Sequence, residues 1–474
     1  MSETNNPDAA VLRYLGYLGP DPENWVPASP GVDVDVLVVG AGHSGLSVGY
    51  ALRRAGIGNV LLIDAAAEGQ QSIWRDRARM NTLRTPKTAP GPELGNPVLG
   101  FQAWYEARHG AEAFAAIGRI PRTLWADYLD WLRATLNVPV RFGTALVAVK
   151  PAGEHLTVTL RSSGGDETLT VRKLVLATGL GGLGGPNIPS IVRALPERFY
   201  SHSDALIDFA AFADKRVAVL GAGPSAFDQA ATALEAGARE VHLYVRAKDL
   251  ARTPAYRAAV YPGADHFQQL PDADRWQVVN HFLSRGTNPP TDSVLRATAF
   301  DNFWIHLDSP WDALHVEGEQ VQVRSGEETL PFDHLICATG FAVDPRQRPE
   351  LQGIAADIAL WEDRYTAPEA LTNAAVARYP YLGEAYQLQP RVAGQAPYIG
   401  NVHAFCYAAF ASFCRVLGDI PSLRVAVPRL VAGISRDLFL ADRDAHLARL
   451  TREVDPDLTG DEYAARIWPG RRAP

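Results

Sequence analysis

Residues 34–45 read Val34-Asp35-Val36-Leu37-Val38-Val39-Gly40-Ala41-Gly42-His43-Ser44-Gly45, a short apolar run that ends in three glycines. The run is β-branched and nearly continuous, the pattern of a strand buried on both faces. Leu46 to Ala55 continues with helical spacing, and Asn59 to Asp64 is a second apolar strand. Strand, glycine turn, helix, strand is a βαβ unit. Asp64 comes 24 residues after Gly40, where a dinucleotide fold places the acid that accepts from an adenosine ribose. In such a turn the first glycine makes the bend, the second lets a pyrophosphate approach the backbone, and the third lets helix and strand pack closely. The helix N-terminus, at His43 and Ser44, then offers free N–H groups to phosphate. A tight turn with an exposed aspartate is the plain alternative.

The same grammar returns about 180 residues later. Arg216 to Leu220 is a strand that ends in Gly221-Ala222-Gly223-Pro224-Ser225-Ala226, followed by a helix and the strand Val241 to Arg246. Here the third glycine is replaced by Ala226, which still permits close packing. Arg246 stands where the first unit has Asp64, with Lys248 just beyond. A carboxylate would repel a 2′-phosphate, whereas a guanidinium can clamp it. Site one therefore suits an unphosphorylated ribose and site two suits NADPH; a solvated charge at a strand end is the alternative for Arg246 and Lys248. Two strands end in Ala-Thr-Gly, at Ala177-Thr178-Gly179 and Ala338-Thr339-Gly340, and each follows a polar, hairpin-like stretch.

Composition narrows the class. The 474 residues are 47% hydrophobic and 21% charged, an ordinary globular balance. A net charge of −8 argues against nucleic acid or an anionic membrane as partner. Cys337, Cys406 and Cys414 form no C-x-x-C pair, and His and Cys never cluster at ligand spacing. No disulfide framework, dithiol redox centre or metal is expected. The polar N-terminus lacks a signal peptide pattern and no window reaches a membrane span, so the expected location is the cytoplasm.

Two dinucleotide folds, each tied to a downstream Ala-Thr-Gly strand, resemble the FAD- and NADPH-binding flavoproteins, and among them the class B flavoprotein monooxygenases. That group comprises flavin-containing monooxygenases, Baeyer–Villiger enzymes and microbial N-hydroxylases. The resemblance runs over residues 34 to 410. It implies that Gly40, Gly42, His43, Ser44, Gly45 and Asp64 hold FAD, with Thr178 and Gly179 nearby. It implies that Gly221, Gly223, Ser225, Arg246 and Lys248 hold NADPH, together with Ala338, Thr339 and Gly340, and it carries Asp228 to the same site. Ile73-Trp74 and the run Met80 to Lys87 look like the segment that passes the flavin ring. Thr82-Leu83-Arg84-Thr85-Pro86 looks nearest to the N-hydroxylases, as does Asp333-x-x-x-Cys337-Ala338-Thr339-Gly340-Phe341. Pro196 and Arg198 stand where a Phe-x-Gly-x-x-x-His fingerprint has its Phe and Gly.

The fold expected is α/β, two doubly wound Rossmann-like domains with the NADPH domain inserted into the FAD domain. The divisions are a leader at 1–33, a first FAD part at 34–210, an NADPH domain at 211–325, and a second FAD part at 326–474 with C-terminal helices. The activity implied is NADPH-dependent insertion of one oxygen atom from O2 into a small molecule through a C4a-(hydro)peroxyflavin, heteroatoms and nitrogen first. A flavin reductase or oxidase, a Baeyer–Villiger enzyme and a nucleotide-sensing protein remain as alternatives. Trp74 and Asn401 are the candidates nearest the flavin, the latter as a donor to its pyrimidine end or as a helix-capping loop residue. His403 reads as a packed histidine. Oligomeric state is open, a homo-oligomer included.

Overall fold

The computed structural model describes residues 7–70, 73–468 and 470; residues 1–6 of the expected leader and the last positions of the second FAD part lie outside them. The first sheet is built around β1 (Val34–Val39), which is buried on both sides between parallel neighbours β2 (Val60–Ile63) and β5 (Gly165–Leu176). β5 is long enough to do two jobs. Its first half pairs antiparallel with β4 (His155–Ser162), which pairs in turn with β3 (Ala145–Ala152), and its second half runs parallel to β1. The short β16 (Val402–His403) closes the other side of β5. The helix His43–Arg54 crosses between β1 and β2, and the helix Leu423–Ala441 packs against it.

The linker strand β6 (Gly184–Pro186) leads to a second sheet, entirely parallel. Its order is β10 (Phe303–His306), β9 (Glu240–Tyr244), β8 (Arg216–Leu220), β14 (His334–Cys337), β7 (Tyr200–His202). An antiparallel meander of β11 (Ala313–Glu317), β12 (Gln320–Ser325) and β13 (Glu328–Phe332) follows the helix-bearing half. Its turns fall at Gly318 and Gly326, where the sequence places them. β15 (Phe341–Val343) then pairs antiparallel with β6, so the two crossings of the chain between the units lie side by side.

Two differences from the expected divisions have clear causes. β7 and β14 lie outside 211–325 yet belong to the second sheet: β14 is the parallel neighbour of β8, and β7 in turn pairs with the far side of β14. Conversely, Phe267, Trp276, Val279 and Phe282 fall inside 211–325 but pack into the first unit's core. The segment between β9 and β10 reaches back across the junction, with the helix Asp272–Arg285 as its rigid part. The leader also joins the first unit: the helix Pro7–Gly16 buries Val11, and Asp8 bonds Arg108 at 2.7 Å.

Candidate functional site

Both glycine turns open at the carboxyl ends of their sheets and are built alike. Gly40 N donates to Ile63 O at 2.8 Å, and Gly221 N to Tyr244 O at 3.0 Å. Ala177 N donates to Val39 O at 2.9 Å, and Ala338 N to Leu220 O at 2.8 Å. Gly40 (φ +102°) and Gly221 (φ +148°) occupy backbone that side chains resist. A β-carbon on either would sit 2.5 Å from the carbonyl oxygen of Ala177 or Ala338. This close approach is why the Ala-Thr-Gly strand recurs: its alanine carbonyl leans on the first glycine of each turn. Gly45 is packed even more closely, since a β-carbon there would collide with Gly40 O. Gly42 has nothing within 4 Å of that position, and Gly223 has only Thr287 O, at 3.6 Å. The middle glycines thus leave the open cradles that a pyrophosphate backbone fits, each at the start of a twelve-residue helix.

Asp64 is fixed before any ligand arrives. Its two carboxylate oxygens accept from Ala41 N at 2.8 Å and Ala66 N at 2.9 Å, and each keeps lone-pair capacity for a ribose hydroxyl. Arg246 and Lys248 lie exposed just past β9, in no ion pair with a described residue. Ser225 is exposed in the first turn of its helix, whereas Ser44 is buried in its own.

His43 is buried, with Nε2 2.7 Å from Gly418 O and its ring stacked on Trp74, centroids 6.1 Å apart. Burial pushes its pKa down against the opposing pull of the Gly418 carbonyl, which keeps it neutral. Trp74 is half-buried and its carbonyl accepts from the Arg122 guanidinium. The structure sets Trp74 against the first turn. It does not bring Asn401 there. Asn401 Oδ1 accepts from Lys173 Nζ at 2.8 Å and Nδ2 donates to Glu154 O at 2.7 Å. Both ends of the amide are consumed three residues before β5 reaches its carboxyl end, which corrects the expected donor role. His403 is fully buried and Nδ1 lies 2.8 Å from Ala385 O, a packed histidine.

The part that sequence reasoning missed is Gly418-Asp419 and the nineteen-residue helix Leu423–Ala441 after it. Gly418 touches His43 and lies near Ser44. Asp419 Oδ1 accepts from Ser422 N at 2.8 Å, tying down the helix start. A second positive helix end therefore meets the first turn. The available signal was the Gly-Asp pair followed by an apolar stripe at Leu423, Ala426, Val427, Leu430 and Ile434.

Asp228 is already engaged within the protein. Its carboxylate accepts from Ser293 Oγ at 2.7 Å and from Arg84 Nη2 at 2.5 Å, so it anchors the ring-side segment of the first unit to the second. Burial raises its pKa, and Arg84 pulls it back. Thr178 hydrogen-bonds Cys406, and Gly179 O accepts from Tyr407 N at 3.2 Å. Thr339 donates to Asn187 O and Gly340 O accepts from Asn187 N at 2.9 Å, so these two hold the paired crossings together. All three cysteines are buried and free. Burial pushes Cys337 and Cys414 up to about 12 and Cys406 to about 11, far from a reactive thiolate. Among the described residues no group of three metal-ligating side chains occurs, and no helix is long and apolar enough to cross a membrane.

Comparison with known proteins agrees with this geometry. A family described as pyridine nucleotide-disulphide oxidoreductase matches residues 37–266. The chain is 41% identical over 443 residues to an FAD-dependent urate hydroxylase of Xanthomonas campestris pv. campestris, covering 92% of this chain and 93% of that protein. Among solved structures, ornithine hydroxylase from Pseudomonas aeruginosa superposes with a TM-score of 0.65 at 18% identity, over 85% of this chain and 99% of that one. L-lysine 6-monooxygenase from Pseudomonas syringae gives 0.66 at 19%, with 85% and 99% covered. Bacillithiol disulfide reductase from Bacillus cereus gives 0.54 at 16%, with 85% and 99% covered, so the fold by itself does not choose the chemistry.

Proposed function

The chain belongs to the class B flavoprotein monooxygenases, and on that premise we propose that its substrate is urate or a close oxopurine relative. The enzyme is an NADPH-dependent FAD monooxygenase. Substrate, O2, NADPH and a proton give hydroxylated substrate, water and NADP+. The observation that carries the substrate is the 41% identity, sustained along 92% of the chain, to a relative named for urate hydroxylation.

FAD bound at the first turn supplies the hard chemistry, accepting hydride from NADPH and, once reduced, activating O2. The protein's part is binding, orientation and exclusion of water. We assign the FAD pyrophosphate to the cradle at Gly42 with the amides of His43, Ser44 and Gly45, and the ribose to Asp64. The start of the helix Leu423–Ala441 would offer a bound flavin a positive environment, and the His43–Trp74 stack would shield it from water. We assign NADPH to the Gly221–Ser225 turn, its 2′-phosphate to Arg246 and Lys248. The sheets support an NADPH unit of about residues 200–340 in place of 211–325.

The test is turnover by the yellow holoenzyme. Urate should raise NADPH oxidation and be lost in a one-to-one ratio with NADPH and O2, with little H2O2. An amine substrate is the second reading, favoured by the Thr82–Pro86 run. Coupled turnover of ornithine, lysine or a diamine, with urate inert, would select it.

A further inference from the structure

Three tyrosines from separate parts of the chain meet between the two nucleotide turns. Tyr407 is pinned beside the loop after β5 by its N–H bond to Gly179 O. Its hydroxyl shares a hydrogen bond with that of Tyr379, the rings 6.2 Å apart and 64° inclined. Tyr256 comes from the segment that reaches back from the second unit. Its hydroxyl bonds the Thr287 side chain, and the Thr287 carbonyl is the atom nearest the open side of Gly223. Fully buried Phe410 joins the group: Tyr407 stacks on it at 16°, and Tyr256 meets it edge-on at 5.6 Å. Tyr256 also stacks on Phe282, 5.2 Å away and 12° inclined. The set runs without a break from the FAD-side loop to the NADPH-side turn, and Tyr256 and Tyr407 keep part of their surface exposed.

The electrical surroundings of these hydroxyls discriminate between ligands. Among the described residues the groups acting directly on them are each other, Thr287 and the Cys414 thiol, which lies next to Arg415. Burial raises all three phenols, so they stay neutral and can both donate and accept. An ammonium group placed here would be desolvated without a counter-charge. A planar ring with alternating N–H and C=O edges would find hydroxyl partners for its rim and aromatic faces for its surface.

Resting on the oxopurine reading above, we propose that Tyr256, Tyr379 and Tyr407 form the wall that binds the substrate, their hydroxyls pairing with its ring amide edge between the flavin and nicotinamide positions. Such a site disfavours analogues that cannot pair with it, because they displace water from its hydroxyls without replacing the hydrogen bonds. N-methylated xanthines should bind more weakly than xanthine for that reason.

The test uses the Tyr407→Phe and Tyr379→Phe holoenzymes, which keep the ring and lose one oxygen. Urate affinity, read without NADPH from the perturbation of the flavin spectrum, should fall about tenfold in each. FAD content should stay unchanged, while H2O2 per NADPH rises in the presence of urate. Should Tyr379→Phe fail to fold, Tyr407→Phe, at the more exposed position, decides. Urate affinity within twofold of the parent overturns the wall. If the parent neither binds nor consumes urate, the substrate reading falls instead. The wall is then judged with whichever of xanthine, ornithine, lysine or a diamine stimulates NADPH oxidation, and an unchanged KM in both variants overturns it on its own.

Discussion

Asp64 and Arg246 occupy corresponding places in two copies of one motif and carry opposite charge. Asp64 is held by two backbone N–H groups and Arg246 by no ion pair, so the first is a finished acceptor and the second a free donor. A charged hydrogen bond contributes roughly 1.5–3 kcal/mol. Arg246→Ala should therefore lose about 10- to 100-fold in NADPH affinity with NADH barely altered, as steady-state KM values for the two nucleotides will report. Equal losses would make Arg246 a scaffold residue. The glycines separate in the same way. Gly45→Ala forces a β-carbon onto Gly40 O and should lower both FAD content and melting temperature. Gly42→Ala meets no protein atom within 4 Å, so the apoprotein should melt as the parent does while FAD binds more weakly. If the two variants behave alike in both measurements, the division of labour between these glycines is wrong.

Among elements, strands with a glycine turn at one end were legible because a buried parallel strand has a one-dimensional signature: a short apolar run, then a break. The Ala-Thr-Gly repeat was legible as a pattern, although its reason, an alanine carbonyl against the first glycine, required the fold. Asn401 was misplaced because its role depends on register. β16 pairs Val402 with Leu174, which sets Asn401 beside Lys173 and leaves Gly418 to reach the turn. The return of residues 250–290 to the first core was equally hidden, since periodicity shows that Trp276, Val279 and Phe282 share a helix face but not which core receives it. The Arg84–Asp228 pair belongs to this scale as well, because it ties the ring-side segment to the helix Pro224–Glu235. The Arg84 side chain keeps 35% exposure against 5% for Asp228, so solvent screens part of the attraction. Arg84→Ala leaves the buried carboxylate with the Ser293 hydroxyl and the more distant Arg296 charge, and should cost about 1–3 kcal/mol. Asp228→Asn should cost less, and urea denaturation of both variants checks the order.

At the scale of the whole molecule, both units carry buried neutral histidines, and these set how the protein meets acid. Burial, the largest cause, holds His403 in the first unit at about 4, and His242 and His334 in the second at about 4. An unfolded chain takes up those protons near pH 6.5. The folded state resists them, so this contribution to stability is complete above about 6.5 and is lost as pH falls toward 4. For fully buried His403 the loss over that window is on the order of 3 kcal/mol. Four carboxyls, the buried Asp35 and Asp228, the half-buried Asp204 and the more open Asp419, are shifted upward by desolvation. Their effect has the opposite sign: the folded state gains as they protonate, and it acts above the ordinary carboxylate range. The histidine loss should nevertheless dominate the upper part of the window, from 6.5 down to about 5, where the imidazoles of the unfolded chain are already charging. Urea midpoints of the holoenzyme should therefore drop between pH 7.5 and pH 5 with the slope m unchanged. His403→Asn removes one titrating ring from the first unit; its midpoint should be lower at pH 7.5 but fall less steeply with acid. A parallel decline in variant and parent would show that His403 does not set the acid response.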